Sequence, residues 1–259
     1  MGLAALAITD HDTLEGVQQA LTNGIPPPLK FISGLEISTA PPPHFPFKGS
    51  FHILGYGIAL DHAPLNGVLE KLQLARQNRN PGIVKRLAEM GMPIGFKELS
   101  EATGGTGQIG RPHIAQVMVA KGYVTSIDEA FDRFIGAGKP AYVDKFRVDC
   151  SEAIRLILSA GGVPVLAHPY LYRHYGDSKL ETLIKTLIQM GLQGLEAYYP
   201  EHSGEDTQRF TSLADHYGLL QTGGTDFHGT IKKGLQLGNG NGNFCVPYRL
   251  FERLMERLS

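Results

Sequence analysis

Six side chains of the kinds that bind divalent cations stand near the ends of apolar runs. They are His11 after LAALAIT (3–9), Glu36 in LKFISGLEIS (29–38), His52 in SFHILGYGI (50–58), His168 in GVPVLAHP (162–169), and Asp226 and His228 in LLQTGGTDFH (219–228). Imidazole and carboxylate are first-choice ligands for zinc, manganese or iron. The Asp-x-His of TDFH suits two ions, or one ion and an orienting contact. Asp10 and Asp12 flank His11 and are placed to hydrogen-bond its ring and fix its tautomer. Taken singly, each residue has a plain structural reading: a core histidine, a strand-end ion pair for Glu36, a turn or helix cap for Asp226. Together they favour a metal site, because the strand ends of a parallel α/β barrel gather on one face.

A second group lies in GRPHIA (110–115). Gly110 and Pro112 mark a helix start, with Arg111 and His113 in its first turn. The free N–H groups of a helix N-terminus and a guanidinium fork both suit a phosphate. Arg111 is expected to be exposed and to contribute little to folding. His202, after YYPE, is placed to border the site and touch a substrate. His44 and His62 read as solvated loop residues, His174 as a loop residue and His216 as a helix-face residue. GTGQIG (105–110) has neither a GxGxxG fingerprint nor a GK[ST] ending, and GNGNGN (238–243) reads as a turn before a last strand, NFCVP.

The elements that must position these groups alternate. Strands at 162–169, 192–199 and 219–228 are separated by helical periods in CSEAIRLILSAGG, KLETLIKTLIQMG and EDTQRFTSLADHYG. That rhythm is the βαβ pattern of a parallel sheet or barrel. It is interrupted by successive helical segments, so residues 64–148 read as a helical insertion covering the active site, within a discontinuous barrel of residues 1–63 and 149–259. The 259 residues carry a formal charge of −1, and 19% are charged. A near-neutral chain is unsuited to coating long nucleic acid or a membrane surface. Two cysteines, Cys150 and Cys245, form no disulfide framework, and no run approaches the ~20 apolar residues of a membrane span. MGLAALAI lacks a basic leader and a cleavage site. A cytoplasmic protein is expected.

AITDHDTLEG, GLEIS, HILGY, GRPHIA, LAHP and GGTDFHG, in this order, resemble the PHP (polymerase and histidinol phosphatase) superfamily, and within it the bacterial branch of nucleotide phosphatases and short-RNA 5′→3′ exonucleases. The resemblance runs over nearly the whole chain. It implies a distorted, TIM-like barrel of seven β/α units that binds divalent Mn, Zn, Fe or Mg and hydrolyses phosphoesters. His11, Glu36, His52, His168, Asp226 and His228 match the family's metal ligands, and Arg111 and His113 match its substrate-phosphate motif. The family opens with a strand ending in His-x-His, which does not precede AITDHD here. The chain therefore starts where the second strand would, and a misplaced start is the favoured explanation. The family's two or three ions would be fewer in this chain. The open barrel seam would be covered by another segment or would pair two copies. The implied activity is hydrolysis of a nucleoside monophosphate, a nucleoside 3′,5′-bisphosphate or a short oligoribonucleotide by a metal-activated water. A histidinol-phosphate-type phosphatase and a non-catalytic metal- or nucleotide-binding remnant are the alternatives.

Overall fold

The computed structural model describes residues 2–45, 47, 50–102, 109–229 and 234–259. Most of GTGQIG (residues 105–108) lies outside the described residues. The chain forms two compact units: Met1–Leu69 with Arg147–Ser259, and Glu70–Phe146.

The first unit is a curled sheet with helices on its flanks. Its strands are β1 (Ala5–Ile8), β2 (Lys30–Ala40), β3 (Phe51–Tyr56), β4 (Val148–Asp149), β5 (Val163–Leu166), β6 (Gly194–Tyr198) and β7 (Leu220–Gly223). The order is β1-β2-β3-β5-β6-β7, with β4 also on β2. All pairings are parallel except those of β3, which runs antiparallel to both β2 and β5. The cause is length: only residues 41–50 separate β2 from β3, and a parallel return needs a crossover of about a dozen residues or more. His52 therefore stands at the start of its strand, not at its C-terminal end as the sequence suggested. Reversal of the strand still brings it to the same edge as Glu36 and His168.

Side-chain alternation divides the sheet into two faces. Ile32, Leu54, Tyr56, Val163, Val165 and Ala167 share the inner face, and Glu36 and His52 lie further along it in the same phase. The inner face is closed by α9 (Tyr248–Leu258), whose Phe251, Leu254 and Leu258 pack on those residues. The fit is tight at Gly57, where a Cβ would fall 2.4 Å from a Leu258 methyl, and φ there is +73°. This final helix replaces the last strand expected at NFCVP. Pro247, with its ring-fixed φ of −62°, serves instead as the helix N-cap.

Among the described residues the sheet does not close on itself, since β1 pairs β2 and β7 pairs β6 with no ladder between them. The segment carrying GNGNGN runs past both edges. A Cβ on Gly238 would strike Leu3, and one on Gly223 would lie 3.1 Å from Val246.

At the start of the stretch expected to be helical, α2 (Ala63–Glu89) is one helix that continues through Pro81. Pro64 lies in its first turn, where no N–H is needed, and the His62 ring accepts the Leu65 N–H at 3.3 Å. His62 is thus a helix cap. The second unit adds α3 (Phe96–Ala102), α4 (Arg111–Ala120) and α5 (Ile127–Ala130), which runs into a π-helical turn at Phe131–Ile135. Ile83, Leu87, Leu99, Ile114, Met118 and Ile135 form its core. No helix among the described residues is long and apolar enough to cross a membrane.

The two cysteines differ sharply. Cys150 opens α6 (Cys150–Ser159) and is buried, which pushes its thiol up to about 11, whereas Cys245 is exposed. The thiolate is the reactive form. A maleimide at neutral pH should label Cys245 alone in the folded chain and both cysteines in denaturant, as read by intact mass. Equal labelling rates in the folded chain would contradict this packing.

Candidate functional site

Past its formal end, β1 keeps touching β2. Glu36 N–H donates to Asp10 O (3.0 Å), Asp12 N–H donates to Glu36 O (2.9 Å), and His11 is bridged to Glu36. The local fold thus forces His11 beside Glu36. Asp12 is fully buried with φ +58°, and its carboxylate accepts both the N–H (2.7 Å) and the hydroxyl (2.9 Å) of Ser38. It therefore anchors the segment carrying His11. Asp10 leans over the start of α1 (Glu15–Asn23), where a Cβ on Gly16 would strike its carboxylate.

Glu36, 5% exposed, is the centre of the cluster. Its Oε1 lies 2.5 Å from His52 Nδ1 and 3.1 Å from His168 Nε2, and those two nitrogens are 3.0 Å apart. Its Oε2 lies 3.2 Å from His11 Nδ1. Burial opposes ionisation of Glu36. The charges of His11 and His52 and the hydrogen bonds of His168 and His52 outweigh it and hold the carboxyl well below its ordinary value. Burial likewise opposes charge on His168, but the bond to Glu36 and the nearby carboxylates raise it.

The remaining pair sits beside them. The His11 and His228 rings are 6.0 Å apart, and His228 Nδ1 lies 2.8 Å from Asp226 O and 3.4 Å from Asp226 Oδ1. Tyr199 O–H donates to Asp226 Oδ2 at 3.0 Å, and its ring lies 6.1 Å from that of His168. The six residues picked from sequence are thus brought together.

Without an ion, two ring nitrogens and a carboxylate oxygen converge within 2.5–3.1 Å, and two imidazoles face each other nitrogen to nitrogen. Ligands around one cation lie about 3.0–3.3 Å apart along the edges of its coordination polyhedron. The donor set fits a divalent ion. The two oxygens of Glu36 face different histidines. His11, Glu36 and His52 offer ligand atoms within 4.8 Å of one another.

Sequence reasoning missed Glu196. It lies on the inner face of β6, 5% exposed, and its Oε2 accepts the His168 N–H at 2.6 Å. Burial pushes its carboxyl up to about 8. An acid inside an otherwise apolar strand, LQGLEAYY, was the available signal. His202 lies among Phe210, Tyr199 and Tyr170, with ring centroids 4.7, 5.5 and 6.0 Å away, and its Nδ1 lies 2.9 Å from Ala197 O.

In the helical unit, His113 Nδ1 accepts the Gly110 N–H at 2.9 Å and caps α4, which leaves the proton of the neutral ring on Nε2. Arg111 is not the freely exposed side chain expected from sequence. Its guanidinium lies 5.4 Å from the Phe131 and Tyr142 ring centroids and donates to Ile135 O at 3.2 Å. Arg76 and Arg79, also missed, are buried on α2. The Arg79 guanidinium donates to Asn80 Oδ1, and Asn80 in turn donates to Ile109 O. Arg76 Nη1 lies 3.6 Å from where a Gly110 Cβ would be. The i, i+3, i+4 spacing of Arg76, Arg79 and Asn80 on one helix was the sequence signal.

The aromatic contacts of Arg111 have a measurable consequence. A cation–π contact contributes ~0.5–1 kcal/mol at partly exposed sites, and a hydrogen bond ~1 kcal/mol. Arg111→Ala should therefore destabilise the chain by about 1–2 kcal/mol in urea denaturation. A midpoint unchanged from the parent chain would show that the clamp adds nothing.

No protein-family model matches the chain. Curated relatives do. A 3′,5′-nucleoside bisphosphate phosphatase of Chromobacterium violaceum is 30% identical over 236 residues, covering 91% of this chain and 81% of that protein. A 5′-3′ exoribonuclease of Haemophilus influenzae is 30% identical over 230 residues, covering 88% and 80%. A solved structure from Bifidobacterium adolescentis, assigned as a metal-dependent phosphoesterase, superposes with a TM-score of 0.82 at 28% identity over 99% of this chain and 86% of its own. With a carboxylate-centred histidine cluster at the strand ends of a curled α/β sheet, the chain belongs to the PHP superfamily, in its branch of nucleotide phosphatases and 5′-3′ exoribonucleases.

Proposed function

We propose that the chain is a metal-dependent phosphoesterase acting on small nucleotides, with a nucleoside 3′,5′-bisphosphate or a short 5′-phosphorylated oligoribonucleotide as substrate. The observation that carries this is the Glu36 carboxylate, buried and facing His52 and His168 with one oxygen and His11 with the other. The relatives supply the reaction class.

His11, Glu36, His52, His168, Asp226 and His228 would hold divalent ions. Bound there, such ions supply Lewis acidity toward a phosphoryl oxygen and lower the pKa of an attacking water. The protein's own contributions are distinct. Burial of Glu36 and His168 keeps the ligand atoms in a site of low dielectric, where each charge acts strongly on a phosphate. Tyr199, bonded to Asp226, orients that carboxylate. Arg111 and His113 recognise a substrate phosphate. The Arg111 guanidinium, held beside the Phe131 and Tyr142 rings, is a fork suited to phosphate, and the capped first turn of α4 adds the positive end of the helix dipole. Arg76, beside Gly110, adds a buried positive charge to the same turn. Similarity to a 3′,5′-nucleoside bisphosphate phosphatase and a 5′-3′ exoribonuclease favours a nucleotide over histidinol phosphate.

The test is direct. With Mn2+ added, the chain should release phosphate from adenosine 3′,5′-bisphosphate faster than from histidinol phosphate, and a chelator should abolish the activity. Glu36→Gln should lower turnover by roughly 100-fold or more, since even the outer contacts of a metal site contribute 10–100-fold. A folded chain that binds Mn2+ yet hydrolyses no nucleotide would overturn the enzymatic reading in favour of a metal-binding remnant.

A further inference from the structure

His168 follows Ala167, which belongs to the inner face of the sheet. Simple alternation would turn His168 outward, away from Glu36. It points inward because its backbone is left-handed, with φ +31°. For a residue bearing a Cβ that conformation costs ~1–3 kcal/mol and persists only where the surroundings enforce it.

The enforcing contact comes from the neighbouring strand. Glu196 lies on the inner face of β6, since the parallel register pairs Val165 with Gly194 and Glu196 is two residues further on. Its Oε2 accepts the backbone N–H of His168 at 2.6 Å, inside the protein. Its other oxygen approaches the chain leading to Asp226, 3.6 Å from where a Gly224 Cβ would be. No imidazole is involved in either contact, so Glu196 acts on the backbone that presents a ligand.

We infer that Glu196 is a positioning residue of the metal site, which fixes the left-handed backbone of His168 and so aims its imidazole at Glu36 and His52. This rests on the reading of His168 as a metal ligand. A carboxamide oxygen can accept the same N–H, so Glu196→Gln should preserve the arrangement. Glu196→Ala leaves the N–H buried without an acceptor and frees the backbone to relax.

The experiment is Mn2+ titration by calorimetry on the full chain and four variants, with thermal melts of each. Wild type should bind, and His168→Ala should lose that affinity. Glu196→Ala should bind about tenfold or more weakly, the lower bound for outer contacts of a metal site, and Glu196→Gln should stay within about threefold of wild type. Leu187→Ala, at a fully buried site on α7 (Asp177–Gln189), controls for general loss of stability and should bind as wild type does. If Glu196→Ala binds like wild type while His168→Ala does not, the positioning role is wrong. If Gln is as damaging as Ala, the accepted hydrogen bond is not what matters, and the inference fails. If wild type and His168→Ala are indistinguishable, it is the ligand reading itself that falls, and the inference with it.

Discussion

A carboxylate shut away from water must find positive or hydrogen-donating partners, and Glu36 is the point around which this sheet is arranged. Each of its neighbours is delivered by a different device. His11 arrives because β1 continues to touch β2 beyond its last regular pair. His52 arrives because β3 reverses direction after a short connection. His168 arrives through a turn of the backbone that ordinary alternation forbids. Three unrelated local solutions converging on two oxygens are hard to explain by packing, since an apolar residue at position 36 would fill the same space without them.

The cost of this convergence is carried locally. Among the described residues, the non-glycine positions with positive φ are Asp12, His168 and Asp226, all in or beside the cluster. Each has a partner that over-determines it: Ser38 for Asp12, Glu196 for His168, Tyr199 for Asp226. Strain of this kind needs a rigid frame. The frame is the inner-face packing of α9 beneath the site, where leucine and phenylalanine side chains fill the curve of the sheet.

The ligand-type residues were legible in the sequence because they interrupt or end apolar runs, and polar atoms at such places stand out. The alternation of strands and helices in the second half of the chain was legible from periodicity. The missed features share a physical cause. The reversal of β3 depends on how few residues connect it to β2, which alternation alone does not report. Glu196 was hidden because a single acid in a buried strand looks like noise until its partner is known. Arg111 was read as solvent-facing because the rings that hold it, Phe131 and Tyr142, are remote in sequence. The terminal helix was overlooked in favour of a short strand at NFCVP, although the pattern Leu250, Leu254, Leu258 repeats every fourth residue.

The pairing of β3 with β5 joins segments on either side of the helical unit, and His52 and His168 meet across a separation of 116 residues. In the language of polymer chains this is one large loop closed by a sheet ladder and a histidine pair. Its entropy grows only as the logarithm of its length, so that doubling the intervening chain would cost ~0.6 kcal/mol. The cost of bringing these two histidines together is therefore almost indifferent to how many residues the helical unit contains. As far as closing the loop is concerned, the constraint falls on where it begins and ends rather than on how long it is.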